Sequence, residues 1–297
     1  MRRLLSALSL LIACVLAAAL AGCAGPAHIT HQAAHRRPPP ASYYLALGDS
    51  LSQGVQPDAA GVSVSTPYGY PDQLYALLRA RQPGLRLVKL GCMGETTATM
   101  ISGGICRYAG GSQLAAADLF LRSHRRVSLV TLDIGANDPD SCITQPSVGR
   151  LADCIGKAIP QATANLAAIL ARVRAAAPHT RIVAMNYYLP VLAQWRDGLA
   201  GQAIARLIEP VAAGYNALLG RVYQHYRVRI ANVFAAFQTG DFGNQAAVPG
   251  VGTLPRNVAN ICRWTWECAA PPRGPNVHAN QAGYQVIAAA FLAADTA

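Results

Sequence analysis

The sequence is nearly without lysine: Lys89 and Lys157 are the two it has, and its positive charge rests on arginines placed singly or in pairs. A formal charge of +11 therefore does not mark a nucleic-acid binder, whose basic residues gather in a patch or stripe. Charged side chains make up only 13% of the chain against 52% hydrophobic ones, which excludes extensive disorder and leaves enough apolar surface for one large core. Also missing is Gly-x-Ser-x-Gly, the nucleophile elbow of the α/β-hydrolases, so that fold is set aside although strand-like and helix-like segments alternate.

At the N-terminus a short basic start precedes an apolar run and a small-residue site, which predicts an export signal over residues 1–22. Leu20-Ala21-Gly22-Cys23 resembles a bacterial lipobox, in which Cys23 would receive a diacylglyceryl group and become the new N-terminus. An ordinary signal with Cys23 coincidental, or an uncleaved membrane helix, are the other readings. Loss of Arg2 and Arg3 with the signal leaves 23 basic and 14 acidic residues, a charge of +9 that reads as a solvated arginine surface, one that would favour anionic lipid or envelope polymers. Residues 23–42, with His28, His31, His35 and Pro38-Pro39-Pro40, lack apolar periodicity and read as a solvated tether rather than a metal site. The folded domain is expected over residues 43–297.

Beyond Cys14 and Cys23, six cysteines remain, an even number in a chain sent to an oxidising compartment. The sequential pairing Cys92–Cys106, Cys142–Cys154 and Cys262–Cys268 is favoured, because each pair brackets a polar or Gly/Pro-rich loop. Each bridge would stabilise by about 2–4 kcal/mol.

Residues 43–47, 85–90, 127–134, 181–187 and 228–233 are strand-length and rich in Val, Ile, Leu and Tyr. Helical patterns fill 71–81, 112–124, 159–176, much of 198–226 and the stretch after Asn280, whereas 240–274 has no clear period. Near-continuous apolar strands alternating with helices predict a three-layer α/β/α sandwich on a five-stranded parallel sheet, with an order such as 2-1-3-4-5. Ligands in such sheets bind beyond the carboxyl ends of the strands.

The first predicted strand breaks into Gly48-Asp49-Ser50-Leu51, and Gly48 permits the tight turn that puts a hydroxyl at a strand end. The second ends in Gly91-Cys92-Met93-Gly94, the third in Gly135-Ala136-Asn137-Asp138, and His278 stands in Asn276-Val277-His278-Ala279-Asn280 before the last helix. In this order the four segments resemble the conserved blocks of the SGNH (GDSL) hydrolases over residues 43–295. The resemblance implies a carboxylic-ester hydrolase with Ser50 as nucleophile and His278 as base. It also implies an oxyanion hole made by the Ser50 and Gly94 amides and the Asn137 side chain, with Gly91 the second choice to Gly94. No metal or organic cofactor is required by that chemistry.

The family places Asp three residues before the His, and this chain has Pro275 there. A backbone carbonyl can accept the imidazole Nδ1–H as a carboxylate does, so the expectation is a Ser-His dyad oriented by the Pro275 carbonyl. Asn276, Asp241 and Glu267 remain alternatives. Asp49 and Asp138 are expected to pin loops rather than move protons, and Trp264 and Trp266 to form either one wall of an acyl pocket or a packed cluster. Lipid or acyl esters are the expected substrates, met by a monomer at a membrane surface. The alternatives are a carbohydrate acetyl esterase acting on envelope polysaccharide and a non-catalytic binding protein on the same fold.

Overall fold

A computed structural model describes residues 41–140, 142 and 147–296. The predicted signal, the Cys23 lipidation site and nearly all of the tether lie outside the described residues. In chain order the elements are β1 (Ser42–Gly48), β2 (Gln56–Pro57), β3 (Ser63–Val64), α1 (Tyr70–Arg79), β4 (Leu85–Lys89), α2 (Thr97–Ser102), α3 (Gln113–Ser123) and β5 (Val127–Asp133). There follow α4 (Asn137–Asp140), α5 (Val148–Ala176), β6 (Arg181–Met185), a 3-10 helix (Pro190–Asp197), α6 (Gly198–His225) and β7 (Arg229–Ala231). The chain continues with α7 (Val233–Ala236), β8 (Gln245–Val248), β9 (Gly252–Pro255), α8 (Arg256–Trp264) and α9 (Gln281–Thr296).

Five parallel strands form the main sheet in the order β4-β1-β5-β6-β7, which is 2-1-3-4-5 in the order of those five strands. The central strand β1 has Leu45 beside Val88 on one side and Val130 on the other. Tyr44 to Leu47, Leu129, Val130 and Leu132 are fully or almost fully buried, as expected of strands covered on both faces. Helices α1 and α9 pack together as one layer, and α2, α3, α5 and α6 form the other. The strand order reverses at β1, so the crevice beyond the carboxyl ends of β1 and β5 is where this topology opens a ligand site.

The elements depart from the sequence pattern in two instructive places. Helix α5 starts eleven residues before the expected start at 159 and runs straight through Pro160. A proline reads locally as a helix start, since its missing N–H costs least in the first turn. Here the preceding turns hold: Ser147 caps the Arg150 amide, and the Cys142–Cys154 disulfide ties the first turns to the loop before them. Within the aperiodic stretch 240–274 the chain builds the β8–β9 hairpin and α8. The hairpin strands are four residues each, too short for a period to stand out, whereas the apolar face of α8, Val258, Ala259 and Ile261, is a helical pattern that the flanking Gly- and Pro-rich stretches obscure.

Among the described residues three disulfides form, Cys92–Cys106, Cys142–Cys154 and Cys262–Cys268, the pairing expected. Among the described residues, no helix is long and apolar enough to cross a membrane.

Candidate active site

Ser50 lies two residues past β1 and is 8% exposed. Its loop is fastened to the next strand: the Asp49 amide donates to the Asp133 carbonyl at 3.0 Å, and the Ser52 amide to Asp133 Oδ2 at 3.1 Å. Asp49 Oδ1 accepts from the Leu51 amide at 2.9 Å, and the Ser50 carbonyl accepts from Gln53 and Val55. At Gly48 φ is +138°, and a Cβ there would stand 2.2 Å from the Asp133 carbonyl oxygen, so glycine alone lets β1 turn into this loop. The Gln113 carboxamide grips the same residue from both sides, accepting from Gly48 N at 2.7 Å and donating to Gly48 O at 2.8 Å.

Asp133 was not singled out from the sequence, although an acid inside the apolar run 127–134 is a legible anomaly. Its side chain is fully buried and takes a 2.5 Å hydrogen bond from the Tyr70 hydroxyl. Burial first, then the facing Asp49 charge, push its carboxyl well above the usual carboxylate range. Two carboxyls meeting in the interior cannot both ionise at ordinary cost, so the Asp49–Asp133 pair is held toward a shared proton.

The loop after β4 distinguishes its two glycines. A Cβ on Gly91 would overlap Ser52 Oγ at 1.7 Å, so Gly91 is there for packing against the Ser50 loop. Gly94 has φ +80° and nothing within 4 Å of where a Cβ would point, which leaves its backbone beside open space. The next residue, Glu95, is buried, and its Oε2 accepts from Gln113 Nε2 at 2.9 Å. Asn137, the first residue of α4, donates one Nδ2 hydrogen to the Glu95 carbonyl at 2.8 Å. A carboxamide has two such hydrogens, so the bond that holds the side chain leaves the second for a ligand. Asp138 accepts from the Thr97 amide at 3.0 Å and from the Thr97 hydroxyl at 2.5 Å, pinning the loops after β4 and β5 to each other.

His278 belongs to the irregular segment between α8 and α9. Its carbonyl accepts from the Trp266 amide at 3.1 Å, and Asn276 N donates to the Trp266 carbonyl at 3.3 Å. The expected acceptor for the imidazole, the Pro275 carbonyl, is replaced by Asn276 Oδ1, which lies 2.7 Å from His278 Nδ1. The reason is local: Asn276 Oδ1 also accepts the His278 backbone amide at 3.0 Å, an Asx turn that folds the carboxamide back over the ring. Asn276 Nδ2 donates to Ser63 Oγ at 3.1 Å, which fixes the amide with its oxygen toward the imidazole. Of the carboxylates held open as alternatives, Asp241 is engaged with Asn244 and Arg256. Burial pushes Glu267 up to about 6, and neither carboxylate is a partner of His278 among the described residues. With no anion at Nδ1, burial governs the ring and lowers the His278 pKa to about 4.

Two bonds tie the His278 segment to its surroundings at this edge, Asn276 to Ser63 on β3 and Tyr188 Oη to the Val277 carbonyl at 2.9 Å, and Tyr284 Oη on the following α9 donates to the Val55 carbonyl at 2.9 Å. Trp264 packs edge-on against Phe237, which stacks on Tyr188, so this tryptophan stands in an aromatic cluster behind the histidine. Trp266 lies under Arg273. Among the described residues, no group of three or more His, Cys, Asp or Glu side chains could hold a metal ion.

A profile of the GDSL-like lipase/acylhydrolase family matches residues 46–286. Among solved structures, the chain is similar to an extracellular lipase from Streptomyces rimosus, with 20% identity, a TM-score of 0.56, and 86% of this chain and 100% of that one covered. It is likewise similar to a phospholipase A1 from Streptomyces albidoflavus, with 20% identity, a TM-score of 0.51 and coverage of 86% and 99%. An acetylxylan esterase from Geobacillus stearothermophilus shares 16% identity, with a TM-score of 0.53 and coverage of 86% and 94%. No curated protein sequence matches the chain.

Proposed function

The chain belongs to the GDSL-like lipase/acylhydrolase family and is an ester hydrolase, and we propose that it cleaves acyl esters of lipids with Ser50 as nucleophile, His278 as base and Asn276 as the group that orients the base. The observation that carries this reading is the 2.7 Å contact between His278 Nδ1 and Asn276 Oδ1, which leaves Nε2 as the basic nitrogen. Ser50 Oγ attacks the ester carbonyl while Nε2 takes its proton, and the imidazolium then protonates the leaving alcohol. Water, deprotonated by the same nitrogen, releases the acid from the acyl-enzyme. The Ser50 and Gly94 amides and the second Nδ2 hydrogen of Asn137 hold the developing oxyanion.

A lipid ester is favoured over a polar sugar ester by the exposed aliphatic side chains next to the proposed machinery. Met93 adjoins Gly94, Val277 adjoins His278, and Val62 and Val64 flank Ser63. Export, lipidation at Cys23, and a tether leading to a monomeric domain over 43–297 complete the proposal. The three disulfides suit an oxidising compartment.

Hydrolysis of p-nitrophenyl acetate, butyrate and a long-chain ester tests the reading, together with fluorophosphonate labelling of wild type and Ser50→Ala. Wild type is expected to be active and labelled, with Ser50→Ala down by roughly 1,000-fold or more and unlabelled. A folded wild type that neither turns over nor labels would return the fold to a binding role.

A further inference from the structure

Helix α6 is anchored to the sheet near its middle, not at its start. Tyr215 Oη donates to the Gly135 carbonyl at 2.8 Å, and the Asn216 carboxamide bonds Tyr187 N and O, each at 2.9 Å. Gly135 and Tyr187 each lie two residues beyond the carboxyl ends of β5 and β6. The helix then runs down toward the start of β7, so the part before Tyr215, about 25 Å at 1.5 Å per residue, stands past the carboxyl edge of the sheet. Ser50, Gly94, Asn137 and the His278 segment share that edge.

The outward face of this projecting half is apolar. Leu199 is 85% and Leu207 66% exposed, and Ile204 and Val211 are exposed beside them at helical spacing. A soluble surface helix turns charged residues outward. Here the one acid of the stretch, Glu209, faces Gly240, and the one arginine, Arg206, is exposed at the margin of the aliphatic face, over Trp195 and Phe242. Val277, whose carbonyl accepts from Tyr188 Oη, and Met93 beside Gly94 are exposed as well. Arg196 just before the helix, Arg206 on it and Arg273 in the segment that carries His278 are exposed.

We propose that the projecting half of α6 is a docking surface for an anionic lipid bilayer, its aliphatic face seated among the acyl chains and the neighbouring arginines among the headgroups. The proposal rests on the lipid-ester reading above and adds the surface that delivers the substrate. An aliphatic helical face rimmed by arginine matches an interfacial helix, for which buried apolar area and attraction to anionic lipid both contribute. A second copy of the chain would cover the aliphatic face and leave the arginines facing one another.

The test uses the full processed chain, so that wild type and variants share whatever the N-terminus contributes. Leu207→Trp places a fluorophore on the outer face. Vesicles of phosphatidylglycerol and phosphatidylcholine with brominated acyl chains are expected to quench the added emission about twofold more than phosphatidylcholine vesicles do. Leu199→Ser combined with Leu207→Ser and Val211→Ser is expected to keep hydrolysis of p-nitrophenyl butyrate and lose about tenfold or more of phospholipid hydrolysis on the mixed vesicles. Retained butyrate hydrolysis shows each variant to be folded, and Leu199→Trp replaces Leu207→Trp if the latter fails it. No quenching, equal quenching by both vesicles, or a dimer that shields the fluorophore without lipid overturns the proposal. Failure of the hydrolase reading is distinguishable, since wild type would then not turn over the soluble ester whatever the quenching.

Discussion

The proposed site has two halves built on different principles. Ser50, Gly94 and Asn137 stand on turns at the ends of β1, β4 and β5, and buried groups hold those turns: Asp133, Gln113, Glu95 and the Thr97–Asp138 pair. His278 stands on an irregular segment whose order comes from an Asx turn, two backbone bonds with Trp266 and the nearby Cys262–Cys268 bridge. The first half borrows its rigidity from the core, while the second makes its own. Losing a support in the first half should therefore cost stability as well as rate, and losing one in the second should cost rate alone.

The largest effect expected from breaking this division is at Asn276. Asn276→Ala should lower kcat/KM by roughly 1,000-fold, because the imidazole loses its tautomer and its orientation together, while the thermal midpoint moves little. Asn276→Asp sharpens the point through pH. In the wild type a His278 pKa of about 4 keeps the base neutral, so kcat/KM should hold down to near pH 4. A carboxylate at 276 favours the imidazolium and should move that acid limb to higher pH. A limb that stays put in Asn276→Asp would remove Asn276 as the orienting group.

The two halves also carry opposite pH signatures in stability. His278 takes up its proton less readily folded than unfolded, so the unfolded chain binds more protons between about pH 6.5 and 4, and stability is lost as pH falls through that window. Asp133 is the reverse: its folded pKa is raised, so the folded chain keeps a proton that the unfolded chain gives up, and stability declines as pH rises above the ordinary carboxylate value. Asp133→Asn keeps an acceptor for Tyr70 but sets an Nδ2 donor against the Ser52 amide that Oδ2 now accepts, so it should flatten the decline at higher pH and lower the midpoint at every pH. Asp133→Ala strands those partners and should cost about 1–3 kcal/mol by denaturant unfolding. A decline at higher pH as steep in Asp133→Asn as in the wild type would show that the buried proton is not what Asp133 contributes.

The same division explains what could be read from the sequence. The five strands, their order and the positions of Ser50, Gly94 and Asn137 follow from apolar runs ending abruptly in glycine-containing turns, a signal that is local and repeated three times. Asn276 was legible only as an alternative. An Asx turn needs no more than an Asn two residues before its partner, but that it also faces Nδ1 depends on the Ser63 bond, more than two hundred residues away in sequence. The start of α5 was misread because Pro160 is a start signal locally, and what overrides it is the Ser147 cap and a disulfide across the preceding turns. The projecting apolar face of α6 was invisible for another reason: periodicity marks which residues share a face, not whether that face is covered.

The smallest effect tests the most distant support. Ser63 contributes one hydrogen bond to Asn276 Nδ2, from a two-stranded hairpin outside the main sheet. Without it the carboxamide can rotate and offer Nδ2 to the imidazole, a donor facing a donor. Because the Asx bond to the His278 amide still favours the working orientation, Ser63→Ala should cost about 1 kcal/mol, close to fivefold in kcat/KM, with the midpoint unchanged. A loss as large as that of Asn276→Ala would mean that the hairpin, rather than the Asx turn, orients the base, and the second half of the site would then depend on the segment that follows Ser50.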